Sequence, residues 1–377
     1  MANTLTPHIP DLQNALDTVS RELVGFIPSV AMDGSLERAA VGETINSFVA
    51  PASTAADITA GQQAPNTGDQ TIGNKTISIT KARAVPVRWN GEEQKGVNNG
   101  VGFNKIFSDQ IAQSMRTLTN EVEADIAALY VGASNGVTPS GTTLFDAGLR
   151  DLANARKCLV DNGAPMSDMQ AVIGTLEGAE LRGNSQLTKV NEAGNDSMLR
   201  QGVLLDVFGM AIRESGQRAN HTKGTGSSLV VGISANVGDT AIQLDPVTGT
   251  SVAGDIVTFA GDPNKYVVAV GGFAGDVVTI AAPGLKQAAA DTTAVTITSY
   301  TEANMVFHRN AIQLITRLPA APLTGDSADD VLVMQDERSG LAFELRAYKE
   351  YRQTHYELGL AWGMAVIKPE HICLLVD

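Results

Sequence analysis

A chain of 377 residues can bury a large core and has room for two or three domains. Apolar content is ordinary at 43%, but charged (18%) and aromatic (5%) residues are sparse and Gly, Ala, Thr and Val abundant, a mix that favours strands and tight turns. The formal net charge of -14 speaks against a nucleic-acid-binding face and against adhesion to anionic membrane.

The opening MANTLTPHIPDLQ has neither a basic nor an apolar leader region, so no signal peptide is expected. No apolar run approaches the roughly 18–20 residues that span a bilayer, and the protein is expected to be soluble and cytoplasmic when made. Residues 1–45 read as a helical arm. Pro10 and Asp11 suit a first helical turn, and Leu12, Leu16, Val19 and Leu23 follow on one face. Such a stripe packs either on its own domain or on a neighbouring molecule.

Residues 46–100 are turn-rich and contain an alternating run: Ile77, Ile79, Val85, Val87 and Trp89 sit at every second position of their strands. Pro86 would break a central ladder, which predicts an edge strand or a projecting ribbon. In residues 101–145 the spacing of Phe107, Ile111, Met115, Leu118, Val122, Ile126 and Leu129 predicts a long helix over 104–131. Asp109, Gln113, Arg116, Asn120 and Glu123 take its polar side. A coiled coil is the alternative, but no second long heptad segment is present to pair with it.

Residues 146–220 read as mixed α/β. Asp146 is placed to cap a helix ended by Asn162-Gly163, followed by a strand at Met169–Ile173, a helix at Leu176–Leu181 and a strand at Leu204–Ile212. Residues 221–299 carry few charges and a near-repeat: AGDIVTFA at 253–260, AGDVVTIA at 274–281, and the weaker VGDTAIQL at 237–244. A Gly-Asp turn ahead of an alternating strand, used repeatedly, predicts a small barrel or sandwich. Residues 300–377 return to strands at Met305–Phe307, Ala311–Ile315, Leu341–Leu345, Tyr356–Trp362 and Ala365–Ile367.

Tests for chemistry are negative. Gly132-Ala133-Ser134-Asn135-Gly136 matches the G-x-S-x-G pattern, but a helix precedes Ser134 where a nucleophile elbow needs a strand. The five histidines (His8, His221, His308, His355, His371) lack local metal spacing, and so do Cys158 and Cys373. His355 is expected half-buried on a strand. Asp326, Asp329 and Asp330 lack the calcium-loop pattern and read as a solvated loop. Gly224-Thr225-Gly226 lacks a phosphate-cradle continuation. No catalytic, cofactor or metal residue is expected.

The blocks ANMVFHRNAIQLITRLPAAP, DERSGLAFELRAY and YELGLAWGMAVIKPEHICLL resemble the C-terminal part of tailed-phage major capsid proteins, and SVAGDIVTFAG resembles part of the β-domain that the short-tailed-phage coat group inserts into the shell fold. The resemblance is specific at residue level only there; elsewhere it rests on element order. It implies an α+β capsid fold: an N-terminal arm (1–45), an extended β-ribbon loop (46–100), a peripheral domain with the spine helix (101–145), an axial domain (146–220), an inserted β-domain (221–299), and return strands (300–377).

The implied function is non-enzymatic: self-assembly as pentamers and hexamers into an icosahedral shell that encloses DNA without specific binding. The site is the virion capsid, with assembly in the host cytoplasm. A scaffolding protein and a portal protein are the implied partners; decoration proteins are left open, and no membrane is involved. Subunit contacts are expected at Leu12, Leu16, Val19 and Leu23 and at Ile77, Ile79, Val85, Val87 and Trp89. The alternatives are a secreted β-rich adhesin or fibre subunit, against which the missing leader and the long helix stand, and an encapsulin-like compartment shell.

Overall fold

The computed structural model describes residues 24–49, 57, 73–98, 103–188, 206–335 and 340–377. In chain order, strands β1 (Ala31–Ala39), β2 (Thr44–Val49), β3 (Gly73–Ser78) and β4 (Lys81–Asn90) lead to helix α1 (Gly91–Asn98) and the long helix α2 (Phe103–Ala127). Then come β5 (Asn135–Val137), α3 (Arg150–Asp161), β6 (Met169–Ile173), α4 (Thr175–Gly183), α5 (Ser185–Thr188), β7 (Met210–Glu214) and β8 (Ala219–Asn220). Short strands β9 (Leu229–Val230), β10 (Ala241–Gln243), β11 (Ile256–Phe259), β12 (Lys265–Val270), β13 (Val277–Ile280) and β14 (Ala294–Thr298) follow. The chain closes with β15 (Glu302–His308), β16 (Ile312–Pro319), β17 (Ala328–Gln335), β18 (Ala342–Glu350), β19 (Gln353–Val366) and β20 (Ile372–Val376).

One sheet runs β1-β16-β19-β18-β17, with β4 along β19; β1 and β16 are parallel and the other pairs antiparallel. Helix α2 packs across it. Phe107, Ile111, Met115, Leu118, Val122 and Ile126 are all buried against Phe343, Leu345, Leu358, Leu360 and Trp362. The stripe works because a 3.6-residue period keeps those six side chains over one face of the sheet. Asp125 pins the helix at two points, accepting from Lys81 Nζ (2.8 Å) on β4 and Trp362 Nε1 (2.9 Å) on β19. Beyond Ala127 the chain tightens into a 3-10 turn at Ala128–Gly132, so the helix ends short of the expected residue 131.

A second sheet runs β7-β6-β15-β20-β5-β12-β11-β14-β9. Its first half buries Leu152, Leu159, Ile173, Met210, Cys373 and Leu375 under α3. Its second half has a core drawn wholly from residues 229–297, with Val257, Tyr266, Val268, Val278 and Ile280 at its centre. The two halves meet at the Tyr266–Asn135 pair, braced by Val267 N donating to Ser134 O (3.1 Å) and Asn135 Nδ2 to Lys265 O (2.9 Å). In all three near-repeats the turn glycine has positive φ: Gly238 (+90°), Gly254 (+96°) and Gly275 (+65°). That conformation suits residues without a Cβ.

Several expectations need correction. Residues 31–45 are not helical: β1 adds in parallel to β16, held at its ends by Arg317 on Asp33 and Arg38 on Glu344. Glu123 lies inside rather than on the polar side of α2, at 1% exposure. Asp146 does not cap α3; its carboxylate accepts from Thr142 N, while fully buried Asp151 accepts from Ser140 N and Phe145 N. The strand expected from Leu204 begins at Met210, after a turn in which Phe208 and Gly209 both take positive φ. Tyr356–Trp362 and Ala365–Ile367 belong to one continuous stretch, β19, up to Val366. Asp329 and Asp330 sit on β17 rather than in a loop, and Asp329 pairs with Lys349 across to β18 (2.5 Å). Among the described residues, no helix is long and apolar enough to cross a membrane.

Candidate assembly surfaces

The hairpin β2–β3, the short link after it and strand β4 carry five of the expected contact residues. Ile77 and Ile79 are each 1% exposed and pack with Ala39, Ile315 and Ala361. The hairpin is seated by Lys75 Nζ donating to Ile367 O (3.2 Å) and by Thr80 N donating to Trp362 O (3.0 Å). Trp89 is buried and donates from Nε1 to Gln110 Oε1 on α2 (2.8 Å). Val85 and Val87 are half-buried against the main core. These side chains therefore serve the chain's own packing. The opposite face of β4, with Ala82, Ala84, Pro86 and Arg88, is the one open to solvent. Leu12, Leu16, Val19 and Leu23 lie outside the described residues.

Three strands of the first sheet are paired along one side only among the described residues: β1, β4 and β17. Pro86 sits on one of them, where a missing amide is tolerated. Val331 and Val333 face outward from β17, and Leu36 from β1. Open edges offer unpaired backbone donors and acceptors to another chain.

A buried polar cluster ties the turn after α2 to the second sheet. Tyr130, just past α2, meets His221 Nδ1 through its hydroxyl (2.9 Å), and His221 Nε2 meets Asp255 Oδ1 (2.8 Å). Asp255 also accepts from Val252 N (2.7 Å) and Gly224 N (3.1 Å). The Tyr300 ring stacks on His221 with centroids 4.5 Å apart, and its hydroxyl donates to Gly254 O (2.5 Å). Burial, with Asp255 adding to it, raises the phenols of both Tyr130 and Tyr300, so both stay protonated. Every polar group of this cluster is satisfied by another part of the chain, so its geometry holds residues 221 and 300 together. No composition or spacing signal marks it, because its members come from four separate segments.

Among the described residues, Ser134 has no base in hydrogen-bond contact. It is 1% exposed, its hydroxyl donates to Ile372 O (3.1 Å), and it is followed by strand β5 rather than a helix. His355 is half-buried on β19, edge-on to Tyr348. Asp326 is engaged by Arg346 and by Ala328 N (3.0 Å). Among the described residues no group of three or more His, Cys, Asp or Glu is arranged to hold a metal ion.

No protein-family model matches the sequence, and no curated protein matches it. Solved structures do match. The capsid structure of the cyanophage P-SCSP1u is similar at 14% identity and a TM-score of 0.50, covering 92% of this chain and 86% of that one. The fold is the tailed-phage capsid fold. A structure of Mycobacterium phage Che8 is similar at 14% identity and a TM-score of 0.47, covering 96% of this chain and 90% of that one. A virus-like particle from Pyrococcus furiosus is similar at 10% identity and a TM-score of 0.44, covering 98% of each chain. Helix α2, expected from the sequence as the spine helix, lies across a sheet whose open edges, among the described residues, are on β1, β4 and β17.

Proposed function

We propose that this chain is the major capsid protein of a tailed double-stranded DNA phage or prophage, and that its copies assemble as pentamers and hexamers into an icosahedral shell. The observation that carries the proposal is the fold likeness along nearly the whole chain, 92% of it, to a cyanophage capsid structure. The open edges of β1, β4 and β17 support it, since a shell subunit has neighbours to cover such edges.

Residues 221–299 are, in this proposal, an inserted β-domain. Two features support that: a core of their own, and ends that meet where Ala219 and Asn220 pair with Ala303 and Glu302. Residues 1–45 are the arm and 46–100 the ribbon that reach a neighbour, through their exposed faces rather than through Ile77, Ile79 and Trp89. Assembly in the host cytoplasm uses a scaffolding protein and a portal protein, and the acidic chain (net charge -14) encloses DNA without binding it specifically. The work is done by repeated interfaces of obligate size, above about 2,000 Å² each.

Negative-stain electron microscopy beside size-exclusion with light scattering tests this. Closed shells, or rings of five or six, are expected from the chain alone or with its scaffolding partner. An unbranched fibre or a small discrete oligomer under both conditions overturns it.

A further inference from the structure

Cys158 and Cys373 are 215 positions apart, and the fold brings them together. Cys158 lies on α3, packed against the cluster that contains Cys373 of β20, and both thiols are free. Cys373 is 1% exposed and its S–H donates to Leu374 O at 3.6 Å, while Cys158 packs against the cluster in which it sits. Cys158 is half-exposed and lines a cavity of about 250 Å³ at the seam of α3, β5 and the turn before β12, with Thr138, Lys157, Asn154 and Lys265. Lys265 Nζ is hydrogen-bonded to Thr138 Oγ1, and Lys157 to Asp161 (2.9 Å). Lys286 is close enough to both thiols to favour their anions, and its buried Nζ has no hydrogen-bond partner among the described residues. The hydrogen bond from Cys373 holds the Cys158 thiol down to about 7 against the opposing effect of burial, with Lys286 and Lys157 adding to it, whereas Cys373 is pushed well up. Near neutral pH one sulfur is thus a nucleophile and the other keeps its proton.

We propose that Cys158 and Cys373 form a thiol–disulfide exchange site for small anionic disulfides, with Cys158 the attacking sulfur and Cys373 the resolving one. The Cys158 thiolate attacks one sulfur of the incoming disulfide, forming a mixed disulfide and expelling a small thiolate. That thiolate or water takes the proton of Cys373. The Cys373 sulfur then attacks Cys158 Sγ and expels the second small thiolate. Two protein thiols are oxidised, one small disulfide is reduced to two thiols, and α3 becomes stapled to β20. Lys157 and Lys265 on the cavity wall, with the buried Lys286 near the thiols, favour an anionic reagent, and the cavity admits it to Cys158 but not to Cys373.

The test treats the full soluble chain with glutathione disulfide and follows intact mass. The wild type is expected to lose two hydrogens, Cys373→Ala to accumulate one glutathione adduct at Cys158, and Cys158→Ser to stay unmodified. Should Cys373→Ala fail to fold, the wild type alone decides, by comparing anionic glutathione disulfide with cationic cystamine. At least a fivefold faster reaction with the anionic reagent is expected, falling toward parity in Lys286→Met. Equal or reversed rates, a stable adduct in the wild type, or reaction at Cys373 in Cys158→Ser overturns the proposal.

Discussion

Glu123, about one turn before the end of helix α2, holds the backbone of Ile27: its Oε1 accepts from Ile27 N at 2.8 Å. The other oxygen accepts from Phe26 N (3.1 Å) and from Ser215 Oγ (2.8 Å). A carboxylate at 1% exposure thus ties the spine to the segment that precedes β1 and to the end of β7. Glu123→Ala leaves two backbone donors and a hydroxyl buried without an acceptor, and is expected to cost about 3 kcal/mol. Urea denaturation reads this directly, and a loss below about 1 kcal/mol would show that water replaces the carboxylate.

The same residue predicts a pH dependence. Burial raises the Glu123 carboxyl above its ordinary 4.5, although its hydrogen bonds pull the other way. The folded state therefore binds that proton more tightly than the unfolded chain. The resulting stability is fully present below about pH 4.5 and is lost as pH rises through the folded value. Glu123→Gln removes the titration. The stability difference between wild type and Glu123→Gln is expected to shrink from pH 4.5 to pH 7, measured by paired urea midpoints; a difference that grows would reverse the assignment.

How much of this was legible in the sequence depends on how local the cause is. The spine helix was readable because its stripe, Phe107 to Ile126, is one period on one face. The strand β1 was not: Asp33, Gly34, Glu37 and Arg38 give no strand pattern, and the element is held by β16 and by ion pairs to Arg317 and Glu344, 284 and 306 positions away. Glu123 was placed on the wet side because i, i+3 spacing records distance from the apolar stripe, not what the incoming chain lays over it. The near-repeat turns were legible because each needs a positive-φ glycine at a fixed offset. The Tyr130–His221–Asp255–Tyr300 cluster and the two cysteines had no local trace, since tertiary packing alone assembles them.

That cluster makes its own prediction. Asp255→Ala unpairs His221, Val252 N and Gly224 N together, and is expected to cost about 3–5 kcal/mol. Tyr300→Phe loses one hydrogen bond to Gly254 O, keeps the stack on His221, and is expected to cost only about 1 kcal/mol. Hydrogen exchange locates the effect: Asp255→Ala should lose protection across 221–299 while α2 keeps its own. Uniform loss over both would mean that residues 221–299 and α2 unfold as one unit.

Gly363 sets the seat of the β2–β3 hairpin. A Cβ there would stand 2.1 Å from Ser78 O and 2.9 Å from Ile79 Cα, backbone atoms that cannot swing aside as a side chain can. Gly363→Ala is expected to lift the hairpin, break the Thr80–Trp362 bond and cost about 2 kcal/mol. Amide exchange at Ile77 and Ile79 is the measurement; unchanged protection at both would mean that β19 shifts and the hairpin does not.

The last prediction separates folding from assembly. Val49 faces Gly73 at the far end of the hairpin, so the two strands can be joined there by a short Gly- and Asn-based turn. Replacing residues 50–72 in this way keeps every pair of the β2–β3 ladder and the buried contacts of Ile77 and Ile79. The melting temperature is expected to stay within about 4 °C of the wild type, because the core is untouched. If residues 46–100 reach a neighbouring subunit, the variant is a folded subunit that does not close shells, visible as free subunits in light scattering beside wild-type particles prepared identically. Normal particles from this variant would mean that residues 50–72 have no part in the contact, which would then fall to the exposed face of β4.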